Sequence, residues 1–145
     1  MARRIYTDAH ASVRFWGEAV DPLDITVALR LPPDYTHRTG EPVLRRARSG
    51  KVRETREPYP HGMWIMSSRG LVKSPQLSTH IKWLLSELEP KVDAIQALLS
   101  GGVSADIVCY SSGASPRLPA IPRSLRKRAE ALGLRIEIDH YEMRP

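Results

Sequence analysis

The chain predicts an α+β fold, a ferredoxin-like split βαβ sheet with an added C-terminal αβ unit and helices mainly on one face. Three observations carry this prediction. Apolar and polar residues alternate from Ala11 to Trp16 before Asp21 and Pro22 open a short helix. A long apolar stripe at helical spacing runs from Leu77 to Leu88 and meets Pro90. Beyond it, the strand-like stretches Ala105 to Tyr110 and Leu134 to Asp139 flank a short basic helix. The order is strand, helix, strand, strand, helix, strand, then helix and strand.

Residues 1–10 start no clear period and are expected either to be a frayed lead-in or to extend the first strand through Ile5 and Tyr6. From Ala11, the residues Ala11, Val13 and Phe15 share one face and Ser12, Arg14 and Trp16 the other, until Gly17 ends the strand. Asp21 can accept an orphan amide hydrogen, and Pro22 loses nothing at the first helical position. Ile25, Ala28 and Leu29 form the expected buried stripe, and Pro32 and Pro33 stop the helix. Tyr35 to Pro42 is expected to be a loop turning at Gly40.

Val43 to Arg48 and Lys51 to Glu57 flank Ser49 and Gly50, which predicts either a basic hairpin or a mobile insertion. The second strand of the split βαβ unit has to come from this segment. Without it, the expectation is a smaller mixed sheet with helices on one face. Met63 to Ser68 is apolar on both faces and is expected to be an interior strand.

Ser74 and Pro75 repeat the cap-then-proline signal and are expected to open the longest helix. Leu77, Ile81, Leu84, Leu85 and Leu88 give it a continuous apolar stripe. Glu89 and Pro90 break or kink it, after which Val92, Ile95, Leu98 and Leu99 renew the stripe up to Gly101 and Gly102. Ile107 and Cys109 face one way and Val108 and Tyr110 the other in the next strand. Ser111 to Pro122 is expected to be a surface loop, followed by a helix marked by Leu125, Ala129 and Leu132 and ended by Gly133. In the last strand Leu134, Ile136 and Ile138 face the core.

With 145 residues the chain is expected to form a single domain that buries its own core. The lone cysteine, Cys109, excludes an intramolecular disulfide and any multi-cysteine metal site, and favours a reducing compartment. No stretch has the length of a membrane span and the N-terminal residues lack a leader pattern, so a cytoplasmic protein is expected, with no membrane partner.

The formal charge of +6 is unevenly spread. Val43 to Glu57 holds six cations against two acids, a net +4, and Arg123 to Arg128 holds four cations, another +4. The rest of the chain carries a net −2. The candidate partner-binding residues are therefore Arg45, Arg46, Arg48, Lys51, Arg53 and Arg56, together with Arg123, Arg126 and Lys127. Arginines in such density suit an acidic protein surface or a phosphate backbone. The run from 43 to 57 contains no aromatic residue, so it is poorly supplied for base stacking.

No catalytic, cofactor or metal pattern stands out. The five histidines, His10, His37, His61, His80 and His140, have no ligand spacing. His80 lies beside the apolar stripe and reads as a packing or capping residue at the helix margin. Cys109 reads as a small buried residue, and a catalytic part for it or for His80 requires a cleft. Asp139, His140 and Tyr141 alternate between faces, which makes the triplet a strand end rather than a cluster. Gly101, Gly102 and Ser104 follow a helix and precede a strand, the reverse of a phosphate loop.

The chain resembles the bacterial domain of unknown function family DUF4279. The resemblance rests on Val13, Phe15 and Gly17 before Asp21, Pro22, Ile25 and Leu29, on Pro32 and Gly40, and on Trp64 followed by Ser67. It continues through His80, Ile81 and Leu84 to Leu132, Gly133, Ile136, Ile138, Asp139 and Tyr141. The resemblance implies a compact α+β domain of bacterial origin and no particular activity.

The leading expectation is thus a non-enzymatic protein-interaction module without a cofactor, in an immunity or accessory role, that meets an acidic protein surface. The alternative is nucleic-acid binding through the 43–57 segment and the 123–128 helix. A homo-oligomer formed through an exposed sheet edge or the Trp64 strand is a further expectation.

Overall fold

Twelve residues of extended backbone, from Tyr6 to Gly17, form the middle strand of a five-stranded sheet. The computed structural model describes residues 6–46 and 49–143, with side chains described throughout that range except at 45–46 and 53–56. In chain order the elements are β1 (Tyr6–Gly17), α1 (Pro22–Leu29), β2 (Tyr35–His37), β3 (Pro42–Arg46), β4 (Val52–Pro58) and β5 (Gly62–Ser67). They continue as α2 (Leu77–Leu88), a 3-10 turn (Glu89–Lys91), α3 (Val92–Ser100), β6 (Ser104–Gly113), α4 (Arg123–Ala131) and β7 (Ile136–Glu142).

The result is a mixed α+β architecture whose main sheet has the order β2-β5-β1-β6-β7. β1 runs antiparallel to both β5 and β6, β2 antiparallel to β5, and β7 parallel to β6. β3 and β4 form a separate two-stranded sheet. This corrects the expected source of the second strand. It comes from Tyr35–His37, a segment expected to be loop, because three residues suffice to pair with Met63, Trp64 and Ile65 along the exposed side of β5. The basic segment becomes a hairpin turning at Gly50, which has a φ of 83°.

β1 begins at Tyr6, within the extension expected for the first strand. Tyr6, Asp8, Ala9 and His10 pair with Gly113, Ser112, Ser111 and Tyr110, so the described part of the lead-in is ladder rather than frayed end, while residues 1–5 lie outside the described residues. The same pairing draws Ser111–Gly113 out of the expected loop and into β6. A strand in the middle of a sheet is lengthened by its neighbours, and a local pattern of side chains does not register that.

One face of the sheet is covered. Ala11, Val13 and Phe15 of β1, Trp64 of β5, and Ile107 and Cys109 of β6 are fully buried with Ile81, Leu84, Leu85 and Leu88 of α2. Phe15 meets Trp64 edge to face, with ring centroids 5.6 Å apart. The Trp64 indole Nε1 donates to Thr26 Oγ1 at 2.9 Å and so ties α1 to the sheet. The 3-10 turn at Glu89–Lys91 supplies the expected break, and Ile95 of α3 and Leu125 and Ala129 of α4 complete the same core.

The local signals at α1 act as expected. The Asp21 carboxylate accepts from the Leu23 amide at 3.0 Å with Pro22 beside it. Arg30, at a left-handed φ of 53°, closes the helix by donating its amide to the Thr26 carbonyl. Ala28 is exposed, however, and Pro22, Ile25 and Leu29 are the buried set, because the helix rests on the sheet along a narrow line only. At α2 the cap differs. Ser74 closes a turn by accepting from the Gln76 amide at 3.1 Å, so the helix begins at Leu77, two positions beyond Pro75.

Candidate functional site

Most of the candidate cations sit on the β3–β4 hairpin. Its register sets Leu44 opposite Glu54, Arg45 opposite Arg53, and Arg46 opposite Val52. Leu44 is 58% exposed and Val52 56% exposed, and Lys51 at the turn is exposed as well. Arg48 lies outside the described residues.

The root of the hairpin is well held. The Gly40 amide donates to the Tyr59 carbonyl and the Tyr59 amide to the Glu41 carbonyl, both at 2.9 Å. The Tyr59 ring stacks on His37 with centroids 3.6 Å apart, and the Tyr35 hydroxyl lies 2.8 Å from His37 Nδ1 and donates to the Tyr59 hydroxyl at 3.1 Å. Burial, followed by the hydrogen bond to Tyr59, raises the Tyr35 hydroxyl to about 12, and burial holds His37 below the ordinary histidine value. The three rings join β2 to the base of the arm. The sequence places Tyr35 and His37 in an expected loop, and the local signal for this ring cluster is Tyr59 standing between Pro58 and Pro60.

The second basic group lies elsewhere. Arg123, Arg126 and Lys127 are exposed on α4, whose buried side holds Leu125 and Ala129. Arg128 is committed within the molecule, donating from Nε and Nη2 to the two Glu89 carboxylate oxygens, and this pairing lowers the Glu89 pKa. α4 leads into β7, at one end of the strand order, while the hairpin roots beside β2 at the other. The two groups therefore form separate surfaces.

The sheet face turned away from the helices is a further surface that sequence reading did not single out. It carries Met63 and Ile65 of β5, Trp16 and Arg14 of β1, and Val108 and Tyr110 of β6, all partly exposed. Arg14 holds Asp106 in a two-point contact of 2.9 and 2.7 Å and lies over the Trp16 ring at 5.1 Å. His10 stacks on Tyr110 at 5.0 Å, and Tyr110 leans on Tyr141, whose hydroxyl donates to Asp139. Among the described residues His10 Nδ1 has no partner, and burial lowers the His10 pKa, with Arg69 adding to the effect. The available signal was the apolar pattern on both faces of Met63–Ser68. That strand is interior, but helices cover only the Trp64 side.

Neither residue considered for catalysis opens into a cleft. His80 is 1% exposed, inside the stripe rather than at its margin. Ser68 at the end of β5 and the Ser74 carbonyl take its two ring nitrogens at 2.6 and 2.8 Å. Cys109 is fully buried, and burial pushes its thiol up to about 12. His140 points to the core side of β7, to Ser111 and the Ser115 carbonyl, while Asp139 and Tyr141 share the other face, as strand alternation requires.

Cys109 links burial to pH. The folded state keeps the thiol proton over a range in which the unfolded chain, with its ordinary value near 9.0, releases it. Its contribution to stability is thus intact below pH 9 and falls as pH rises toward 12. The native thiol is expected to resist a thiol-selective reagent at pH 8 and to react fully in denaturant. The margin by which the wild type exceeds Cys109→Ala in urea midpoint is expected to shrink between pH 8 and pH 10.

The profile of DUF4279, described as a domain of unknown function, matches residues 6–143, from the first residue of β1 to just past β7. The chain belongs to the DUF4279 family. No curated protein and no solved structure matches it. Both basic groups and the uncovered sheet face lie inside the matched span, so they are parts of the DUF4279 domain. Among the described residues of the domain, no helix is long and apolar enough to cross a membrane.

Proposed function

We propose that this DUF4279 domain is a non-enzymatic protein-interaction module whose β3–β4 hairpin takes an acidic protein surface. One observation carries the reading: the hairpin stands outside the main sheet and combines its arginines with exposed Leu44 and Val52. Phosphate binding needs charge alone, whereas a protein interface gains most from apolar groups set among cations. The strand order β2-β5-β1-β6 is read as the ferredoxin-like split βαβ arrangement, with the hairpin inserted between its second and third strands and α4–β7 added at the end. A cytoplasmic bacterial setting and an immunity or accessory role belong to the same proposal, and a buried free thiol at Cys109 fits such a setting.

A second reading, nucleic-acid binding, is favoured by one feature, since a basic two-stranded ribbon has a shape that the major groove admits. Affinity capture separates the two readings, using wild type, Arg45→Glu with Arg46→Glu, and Leu44→Asp with Val52→Asp. Both variants are expected to lose the same captured protein while retaining the wild-type circular dichroism and Tm. Unchanged partners in both variants overturn the role given to the hairpin. A steeply salt-dependent affinity for DNA or RNA that survives the Leu44 and Val52 changes transfers the reading to nucleic acid.

A further inference from the structure

The two edges of the main sheet are built differently. β2 is three residues long and follows Pro32 and Pro33, so it offers little to an added strand. β7 is seven residues long, ends the strand order, and contains no proline, glycine or lysine. Glu137, Asp139 and Glu142 are exposed along it, and Tyr141 and, just beyond, Met143 are 51% and 57% exposed. This is an acidic, partly apolar edge whose protection is its carboxylates alone, which a basic strand would neutralise. A second β7 is a poor partner for it, because antiparallel pairing brings like charges together.

We propose that the β7 edge accepts the β3 strand of the hairpin from a second copy of this chain. The inference rests on the reading of the hairpin as a protein-binding arm, and it names that arm's partner. β3 is the better complement of the two hairpin strands, with Arg45 and Arg46 and no acidic residue, whereas β4 offsets Arg53 and Arg56 with Glu54 and Glu57. Among the described residues β4 is the one strand neighbour of β3, which leaves its other side to an added strand. An antiparallel register that sets exposed Leu44 opposite exposed Tyr141 places Arg46 opposite Asp139 on the same face, because strand positions alternate. The contact forms between copies. The outer side of β7 faces away from β2, beside which the hairpin is rooted. Strand addition of this kind draws its affinity from backbone hydrogen bonds and its selectivity from charge.

Sedimentation of the purified full chain tests this. The wild type is expected to exceed the 16.3 kDa of one chain, with a mass that rises with protein concentration and falls with added salt. Glu137→Lys with Asp139→Lys is expected to weaken association on the order of a hundredfold, as is Arg45→Glu with Arg46→Glu. An equimolar mixture of the two variants restores association, because the acidic hairpin of one then meets the basic β7 of the other. A wild-type mass that stays at one chain, or an assembly indifferent to all four reversals, overturns the second-copy partner. If the purified chain stays single while hairpin-dependent capture from extract persists, this inference fails and the protein-interaction reading stands. If capture and self-association are both indifferent to the hairpin changes, both fail.

Discussion

Replacing Gly62 with alanine is expected to destabilise the domain by about 3 kcal/mol or more, among the largest effects of any single-methyl change. A Cβ at this position would stand 2.0 Å from the Val20 carbonyl oxygen and 3.0 Å from its carbon. Both atoms are backbone, and the Val20 amide is itself held by the Gly17 carbonyl at 3.2 Å. Gly62 pairs with Gly17 at the end of the β1–β5 ladder, so relief requires opening the turn into α1 and the first ladder pair together. Urea unfolding followed by circular dichroism measures the effect. A Gly62→Ala protein within about 1 kcal/mol of wild type would show that the turn moves freely.

His80→Ala is expected to cost about 3–4 kcal/mol, from the cavity left by the ring and from polar groups left unpaired. The Ser74 carbonyl can only accept, so His80 Nε2 donates to it, and in the neutral ring Nδ1 then accepts from the Ser68 hydroxyl. Ser68 Oγ in turn accepts from the Ala11 amide at 2.9 Å, which joins β1, the end of β5 and the entry to α2. A double-mutant cycle with Ser68→Ala is the decisive measurement. Coupling above about 0.5 kcal/mol is expected for groups that share one hydrogen-bonded chain. Additive losses below that level would reduce His80 to a space-filling residue.

These two residues show where sequence reading stops. The Leu77 to Leu88 stripe announces α2 because helical burial repeats every three to four positions. His80 sits next to that stripe, and nothing local tells that Ser68, twelve residues earlier, and Ser74 supply both of its partners. Gly62 looks like an ordinary strand entrance until the Val20 carbonyl is seen beside it. The alternation at Val13 and Phe15 and the Asp21-Pro22 cap were legible because each is settled within a few residues. Ser74 and Pro75 carry the same cap signal yet do not open α2, since the Ser74 carbonyl is taken by His80.

The candidate surfaces divide in the same way. The charge of the 43–57 segment, and its choice between hairpin and mobile insertion, could be stated from composition and a turn pair. That the hairpin leaves the main sheet, is rooted by Tyr35, His37 and Tyr59, and stands at the far end of the strand order from α4 required tertiary structure. Periodicity records which side chains face alike, and it carries no information about which strands become neighbours. The helices, the strands of the core, the lone thiol and the uneven charge are all legible in the residues alone, because they depend on residue type and short spacing. Tertiary pairing is what puts Tyr35–His37 in the sheet in place of the basic segment and, among the described residues, leaves one sheet face uncovered and β7 as an acidic edge. The reason is that each of these depends on hydrogen bonds and burial between residues far apart in the chain, which compete for the same strand edges.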